Sequence, residues 1–331
     1  PLHHWSRELH RRYHGLRLRA AETAGHTRLR LRWAGPGADL LFLLTSHFPA
    51  CLPAGPAAPA AAADWQPCAP VDAAVAGATL VSVEKVPDDR VLVFSLAAGG
   101  MVHSLRAEIR PIAPALYLCG PDDEVLFALG ALRQRLLRPP AKHLPENRTG
   151  RIDPLPESLA PFLAGHPRAE WRSRLVRSVR RLSPTLFEEA LTRAGEEAPA
   201  ETFAARAAEV CDLAYREADR FYLYSPVPWP EGDFPLDPAR QVRLSSFPLQ
   251  SATGWECRES RDFGPLLALW LDYTLRHQAF HQTKGELLRR LGERARRAAG
   301  KIHSLELQLA ATEDAGRLKQ RGEIILAGLS R

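Results

Sequence analysis

The segment Thr79–Cys119, TLVSVEKVPDDRVLVFSLAAGGMVHSLRAEIRPIAPALYLC, decides the fold. Apolar and β-branched residues form short runs in it, and Pro, Gly and Asp separate these runs, which is typical of strands joined by tight turns. The run Val125–Leu129 continues the pattern. We therefore expect an antiparallel meander. The predicted strands are Thr79–Val86, Val91–Leu96, Ser104–Ile109, Ala115–Cys119 and Val125–Leu129.

The residues before this meander predict one helix and further strands. Apolar residues at helical spacing favour a helix over residues 2–19. Arg28–Trp33 alternates apolar with arginine residues, as a half-buried strand does, and Leu40–Thr45 is a continuous apolar run. Pro53–Pro70 is rich in Pro and Ala and predicts a loop. A short helix is expected around Val71–Ala76.

The residues after the meander predict a helical module. Pro139–Pro161 is a proline-rich connector. Helices are expected over Ala169–Val179, from Pro184 to about Ala194 and over Ala200–Ala214, and strand and loop follow to Glu256. The fold class is therefore α+β. The expected division is an N-terminal α+β domain over 1–150, a helical module over 151–215, a strand and loop segment over 216–262 and a long helix over 263–331.

The long helix, expected from near Phe263, carries a heptad repeat. Small or apolar residues alternate in steps of three and four, which lets one helix pack along another. Basic residues lie between them, so the helix could also lie along a polyanion. No return helix follows up to Arg331, so we expect the partner helix beyond it. The seam residues are Leu288, Leu291, Ala295, Ala298, Ile302, Leu305, Leu309 and Thr312. The phosphate-binding candidates on this helix are Arg289, Arg290, Arg294 and Arg297.

Composition leaves nucleic acid open as a partner. The 331 residues carry a net charge of +6, and lysine occurs only at positions 85, 142, 284, 301 and 319. Arginine pairs with phosphate through two N–H groups, although a GC-rich genome would also favour Arg, Ala and Pro. No apolar run is long enough to span a membrane, and the N-terminus is polar, so we expect a cytoplasmic protein without membrane contact.

No pattern of residues indicates catalysis or a metal. The phosphate-loop, serine-hydrolase and zinc-protease motifs are absent, so a non-enzymatic protein without cofactor is expected. The five cysteines form no C-x-x-C pair and are expected to be buried thiols. His277 and His281 are four residues apart on a helix, but no nearby acid or cysteine completes a metal site.

Besides the arginines of the long helix, two further groups of residues are candidates for binding RNA. In the first, Asp88, Asp89 and Arg90 enter one predicted strand, and Glu108 and Arg110 end its neighbour. These side chains could orient an RNA backbone, or they could form only a turn cap and a surface ion pair.

The second group lies before and within a helical hairpin, Arg181–Pro184. It could bind phosphate, with Arg177 sharing a helix face with Arg174 or Arg181, although Ser183 before Pro184 is also an ordinary helix start. Its arginines are Arg174, Arg177, Arg180 and Arg181.

These segments together resemble the N-terminal half of the NFACT family, the RqcH-like proteins once described as fibronectin-binding proteins A. The family's "G-R-I" strand is similar to Leu16–Leu18, and its "DR-I-x-x-F" motif to Asp89–Phe94. Its "E-L-M-G-R-H-S-N-I-I-L" is similar to Glu108–Leu118, and its "D-x-x-G-x-I-L-D-A" to the residues from Asp122 to Leu129. Two further motifs, "G-[IL]-S-P-x-L-A" and "Y-R-x-x-G-E-L-L-x-A", resemble Arg181–Phe187 and Lys319–Ala327.

The resemblance implies a fold and a function. The fold would be a domain similar to formamidopyrimidine-type DNA glycosylases, a helix-hairpin-helix module and the start of a long coiled coil. The function would be ribosome quality control. The partners would be the large ribosomal subunit with its peptidyl-tRNA and nascent chain, and a tRNA, alanyl-tRNA in bacterial members, recruited for mRNA-independent tailing of the stalled peptide. The tRNA-contacting residues implied are Asp89, Arg90, Glu108 and Arg110.

The sequence departs from the family at two motifs. Residues 111–115 lack the Gly and polar side chains of the family's strand end, and the hairpin Gly is Arg181. Two other functions fit this sequence less well. A DNA glycosylase would use Pro1 as nucleophile, but Leu2 and His3 replace the acid expected after it. A fibronectin-binding adhesin is suggested by the family's older name, but no signal peptide is seen.

Overall fold

The computed structural model is described in two units, Pro1–Leu275 and Arg276–Arg331. The residues that the structure describes are 2–35, 37–45, 49–53, 64–87, 89–110, 113–130, 142–143, 151–226 and 242–329. Pro1, Asp88, Pro111 and Ile112, together with parts of the two predicted proline-rich segments, therefore lie outside the description.

The first unit begins with helix α1, Leu2–Tyr13, and an antiparallel sheet of five strands in the order β4-β3-β2-β1-β5. The alternation in β2 is confirmed, because Leu29, Leu31 and Trp33 are buried. The helix predicted over residues 2–19 is wrong beyond Tyr13, since the chain turns at Gly15, where φ is +78°, and continues as a strand. The strands are β1 Leu18–Thr23, β2 Arg28–Trp33, β3 Asp39–Leu43, β4 Ala50–Pro53 and β5 Gln66–Pro67.

Helix α2, Ala69–Val75, leads to a second antiparallel sheet, in the order β10-β9-β8-β7-β6. The predicted meander is confirmed. Gly99 and Gly100 both have positive φ, as a two-residue hairpin turn requires, and they join β7 to β8. The strands are β6 Thr79–Lys85, β7 Val91–Ala98, β8 Met101–Glu108, β9 Ala115–Cys119 and β10 Val125–Gly130.

One hydrophobic core joins α1 and these two sheets. Phe42 of β3 meets Phe94 of β7 edge to face at 5.4 Å, so the two sheets bury aromatic area against each other. Trp5 of α1 donates its indole N–H to the Cys51 carbonyl at 2.7 Å. All five cysteines are free, and the expectation of buried thiols is confirmed for each except Cys257, which is exposed.

A helical module with its own core follows. Ser183 caps the helix that begins at Pro184 by accepting the Leu186 N–H at 3.3 Å, so the predicted helix start is confirmed. The helix predicted over Ala169–Val179 is a short 3₁₀ turn, Arg168–Glu170, followed by α4. The helices are α3 Pro156–Ala164, α4 Trp171–Ser178, α5 Pro184–Ala194 and α6 Ala200–Tyr215.

A third sheet, in the order β12-β11-β13, contributes to both cores, with Leu223 in the first and Tyr224 in the second. Its strands are β11 Phe221–Ser225, β12 Arg243–Ser245 and β13 Glu256–Ser260.

The last element is the predicted long helix, α7, Phe263–Leu329. Its first turn is capped from α1, where the Glu8 carboxylate accepts the backbone N–H groups of Phe263 at 2.6 Å and Gly264 at 3.0 Å. Arg276–Arg331 forms the second unit. No helix among the described residues combines the length and apolar character of a membrane span.

Candidate functional site

Asp89 lies in the turn between β6 and β7, and its side chain is buried, with 4% of the residue exposed. The turn is closed by two backbone hydrogen bonds, from Asp89 N to Val86 O at 3.3 Å and from Val86 N to Val91 O at 3.0 Å. One carboxylate oxygen, Oδ1, accepts the Arg90 N–H at 2.7 Å. Asp89 therefore fixes the backbone at the start of β7.

Arg110 lies beside this turn because β7 and β8 are paired, with Val91 opposite Glu108. Its guanidinium donates to the second Asp89 oxygen, Oδ2, at 2.8 Å. The Ile109 N–H continues the ladder by donating to the Arg90 carbonyl at 2.7 Å. The N–H and the carbonyl of Arg90 are therefore both hydrogen-bonded. The Arg110–Asp89 hydrogen bond, which is charge-assisted, joins the start of β7 to the end of β8.

Glu108 adds a second buried carboxylate to the cluster, and the residue is 6% exposed. Its Oε1 accepts the Nε2–H of His143 at 3.0 Å and lies 3.9 Å from the Arg110 guanidinium. The His143 ring stacks on Tyr117 of β9, with ring centroids 4.3 Å apart. A carboxylate in this position requires such donors, because a buried charge without partners is costly.

His143 is itself held in place through its backbone. Its N–H donates to the Asp123 carbonyl at 3.1 Å, and its own carbonyl accepts a hydrogen bond from Arg106. Arg106 also forms an ion pair with the Asp123 carboxylate. His143 was not among the residues predicted from the sequence. A signal existed in Arg106, a charged residue between the buried Leu105 and Ala107, which requires a buried partner.

Arg90 differs from the three residues around it because its side chain is exposed. No described residue forms an ion pair with it, so its guanidinium faces solvent above a fixed backbone. Asp89 and Glu108 are buried, and Arg110 is engaged by Asp89. The structure therefore brings the four predicted tRNA-contacting residues together, and the guanidinium of Arg90 is the one that is open to solvent. Their role in tRNA binding stays a prediction.

The second predicted group surrounds α4 and the hairpin after it. Arg174 pairs with Glu170 at 2.6 Å, and Arg180 pairs with Asp153 at 3.3 Å. Arg177 is exposed and forms no ion pair with a described residue. The shared helix face predicted for Arg177 and Arg181 is wrong, because α4 ends at Ser178 and Arg181 lies in the hairpin.

Arg181 occupies a backbone conformation that favours glycine, with φ of +65°. Its guanidinium lies 4.8 Å from the centroid of the Tyr215 ring. The phosphate-binding role of this second group is untested by the structure and stays a prediction.

The third group lies on α7. Arg289 pairs with Glu293 at 2.6 Å and Arg290 with Glu286, each four residues apart on the helix. Arg294 and Arg297 are exposed, and neither pairs with a described residue. The heptad seam is exposed too, so the coiled-coil partner stays a prediction.

The structure offers no metal site in the part that it describes. The rings of His277 and His281 lie 4.2 Å apart. Across the described ranges, no three or more His, Cys, Asp or Glu residues are arranged to hold a metal ion.

Comparison with known proteins agrees with this architecture. The family model of the NFACT N-terminal and middle domains matches residues 2–331. None of the curated proteins matches the chain. The solved fibrinogen binding protein from Staphylococcus aureus has a similar fold, with a TM-score of 0.61 at 11% identity, over 80% of this chain and 95% of that one. The N-terminal part of the fibronectin/fibrinogen-binding protein from Streptococcus suis also has a similar fold. Its TM-score is 0.54 at 16% identity, over 83% of this chain and 97% of that one. The match over nearly the whole length shows that the chain belongs to the NFACT family.

Proposed function

We propose that this protein is a ribosome quality-control factor. In this function it binds the large ribosomal subunit with its peptidyl-tRNA and nascent chain. It recruits a tRNA, alanyl-tRNA by analogy with bacterial relatives, for mRNA-independent tailing of the stalled peptide, and it has no catalytic step of its own. Membership of the NFACT family supports this proposal.

The observation that carries the proposal is the exposed guanidinium of Arg90 above a buried cluster. Arg90 N is bonded to Asp89 at 2.7 Å, and Arg90 O is bonded to Ile109 at 2.7 Å. A side chain on a fixed backbone loses less freedom when it binds, so its phosphate contact is stronger than that of an arginine on a mobile loop. Arg177, Arg294 and Arg297 would add weaker, non-specific phosphate contacts.

The finer architecture belongs to the same proposal. Residues 1–150 would correspond to a domain similar to formamidopyrimidine-type DNA glycosylases. α4, the hairpin and α5 would form a helix-hairpin-helix module, with Arg181 at the position of the family's glycine. The heptad seam of α7 would pair with a second helix in a coiled coil.

The test is tRNA binding by Arg90→Ala across a range of salt concentrations, with Arg19→Ala as the matched control. Arg19 is an exposed arginine of β1 and forms no ion pair with a described residue. Losing one phosphate contact should weaken tRNA binding about tenfold, and it should make the dependence of log affinity on log salt concentration shallower by about one. Equal affinity and equal slope for Arg90→Ala and the wild type would rule out the Arg90 contact.

A second candidate function is adhesion to a host protein. The fold likeness to a fibrinogen binding protein and to a fibronectin/fibrinogen-binding protein favours it. Binding to immobilised fibrinogen and fibronectin, measured beside large-subunit binding, separates the two functions. Submicromolar binding to either immobilised protein, without binding to ribosomal subunits, would favour adhesion.

A further inference from the structure

We propose that His143 is a positioning residue for Arg90 and acts through Glu108, Arg110 and Asp89. The inference rests on the proposed RNA contact at Arg90. Four contacts form the chain of influence: His143 to Glu108 at 3.0 Å, Glu108 to Arg110 at 3.9 Å, Arg110 to Asp89 at 2.8 Å and Asp89 to the Arg90 N–H at 2.7 Å.

The first step is a competition between two carboxylates for one guanidinium. Arg110 lies between Asp89 and Glu108, and the distances show that it is bonded to Asp89. Both carboxylates are buried, so each requires hydrogen-bond donors of its own. His143 supplies a hydrogen-bond donor to Glu108, so the Arg110 guanidinium can remain hydrogen-bonded to Asp89.

The second step follows from removing that donor. The Arg110 guanidinium is a cation already within 4 Å of Glu108, so Glu108 would attract it. Asp89 would then have to share its partner, and its carboxylate would rotate toward the new position of Arg110. The hydrogen bond from the Arg90 N–H to Asp89 Oδ1 would weaken. The backbone that carries the Arg90 side chain would then no longer be fixed.

The third step is that His143 is rigid enough for this role. Its backbone N–H and carbonyl are bonded to Asp123 and Arg106, and its ring lies flat on Tyr117. These contacts keep the ring in the one rotamer in which Nε2 reaches Glu108. These three contacts hold the side chain of His143 in one position relative to Glu108, and such hydrogen-bond networks couple the groups that they join.

Three variants separate the hydrogen bond from the packing. His143→Phe keeps a ring on Tyr117 but has no donor, and His143→Asn keeps a polar side chain that is too short to reach Glu108. His143→Gln places an amide N–H where Nε2 was and gives up the ring. Each variant is measured for hydrogen exchange at the Arg90 amide without RNA, for tRNA affinity and for melting temperature.

The expected result is Arg90 amide exchange about tenfold faster in His143→Phe and His143→Asn, with tRNA affinity reduced several-fold. His143→Gln should stay close to the wild type in both measurements. Unchanged exchange in the Phe and Asn variants would overturn the proposal. Exchange that follows melting temperature in all three variants would also overturn it, because it would show packing alone.

The exchange measurement also separates this inference from the proposed function. If Arg90→Ala binds tRNA as well as the wild type, the proposed contact at Arg90 is wrong. Arg90 amide exchange needs no RNA, so it still reports whether His143 positions this part of the backbone.

Discussion

The Asp89 carboxylate receives a hydrogen bond from the Arg110 guanidinium at 2.8 Å, across the paired ends of β7 and β8. The side chain of Asp89 is 2% exposed, whereas that of Arg110 is 23% exposed. An ion pair on an open surface contributes little to stability, but a buried carboxylate that loses its cation remains as an uncompensated charge. The bond therefore has a structural role in addition to any role in RNA binding.

We expect Arg110→Leu to lower the free energy of unfolding by about 3 kcal/mol, because it leaves Asp89 buried without this partner. The double variant Asp89→Leu with Arg110→Leu should recover at least half of that loss, since the buried charge is removed as well. Urea unfolding of the wild type, both single variants and the double variant measures the coupling. Additive losses in the double variant would show that the two side chains do not act as a pair.

Arg181 provides a matched test of backbone strain in the helical hairpin. Its φ of +65° favours glycine, and its guanidinium stacks on Tyr215. Arg181→Gly and Arg181→Ala both lose the stacking, but only alanine keeps the strain of a side chain at positive φ. We therefore expect the glycine variant to be about 1 kcal/mol more stable than the alanine variant in thermal unfolding. Equal stabilities would mean that the hairpin relaxes to another conformation.

Strand positions followed closely from the sequence, because the period-two alternation and the turn residues are local signals. The predicted strand Arg28–Trp33 and the meander from β6 to β10 were confirmed. The C-terminal part of the first helix was not predicted correctly, because Leu16 continues the apolar helical spacing of Leu9 and Tyr13. In the structure Leu18 pairs with Trp33, and Gly15 donates its N–H to the Leu80 carbonyl. Contacts with distant strands outweighed the local preference.

The candidate site was predictable only in part for a similar reason. Neighbouring strands bring their ends together, so Asp89 and Arg110 were expected near each other. His143 lies beyond β10, in a segment without a periodic pattern, and it reaches Glu108 only through tertiary structure. The residues around His143 carry no local pattern for this contact, and the charged Arg106 between two apolar residues indicated only that some buried partner was needed. Burial of Asp89 and Glu108 was also not foreseen, since charged residues at turns are usually exposed.

Glu189 gives a prediction for pH. Burial alone would raise the pKa of this carboxyl, but hydrogen bonds from the N–H groups of Ser251 and Gln250 and from Arg193 outweigh it and hold the pKa below its usual value. A depressed pKa in the folded state gives stability that is present above the unfolded pKa and lost as pH falls through the folded pKa. We expect Glu189→Gln to cost about 2 kcal/mol at pH 7.

The cost of Glu189→Gln should shrink as the pH falls from the usual pKa of a glutamate to the lower pKa of the folded state, because the unfolded carboxyl is protonated first and the folded carboxyl last. Thermal unfolding of both proteins at a series of pH values measures the difference. Glu188→Gln is the control for a neighbouring glutamate that also pairs with arginine but is partly exposed. A pH-independent cost at Glu189 would contradict the assignment to its charge.

The arginines of α7 give the last prediction, which concerns the ribosome. Arg290, Arg294 and Arg297 are exposed, and two of them have no acidic partner among the described residues. We expect the triple reversal to Glu to weaken co-sedimentation with large ribosomal subunits at least tenfold. Each arginine that contacts a phosphate releases condensed counterions, and the reversal removes these contacts and adds repulsion. The salt dependence of binding should become shallower, by up to about three in the slope.

The control for this triple variant carries the same charge change on the helical module and the sheet beside it, at Arg206, Arg216 and Arg220. These arginines are exposed and pair with Glu209, Asp212 and Glu259. If both triple variants lose binding equally, net charge alone controls association and α7 has no special role. If only the α7 variant loses binding, its arginines face ribosomal RNA. Unchanged binding in the α7 variant would remove that helix from the proposed interface and leave Arg90 to be tested alone.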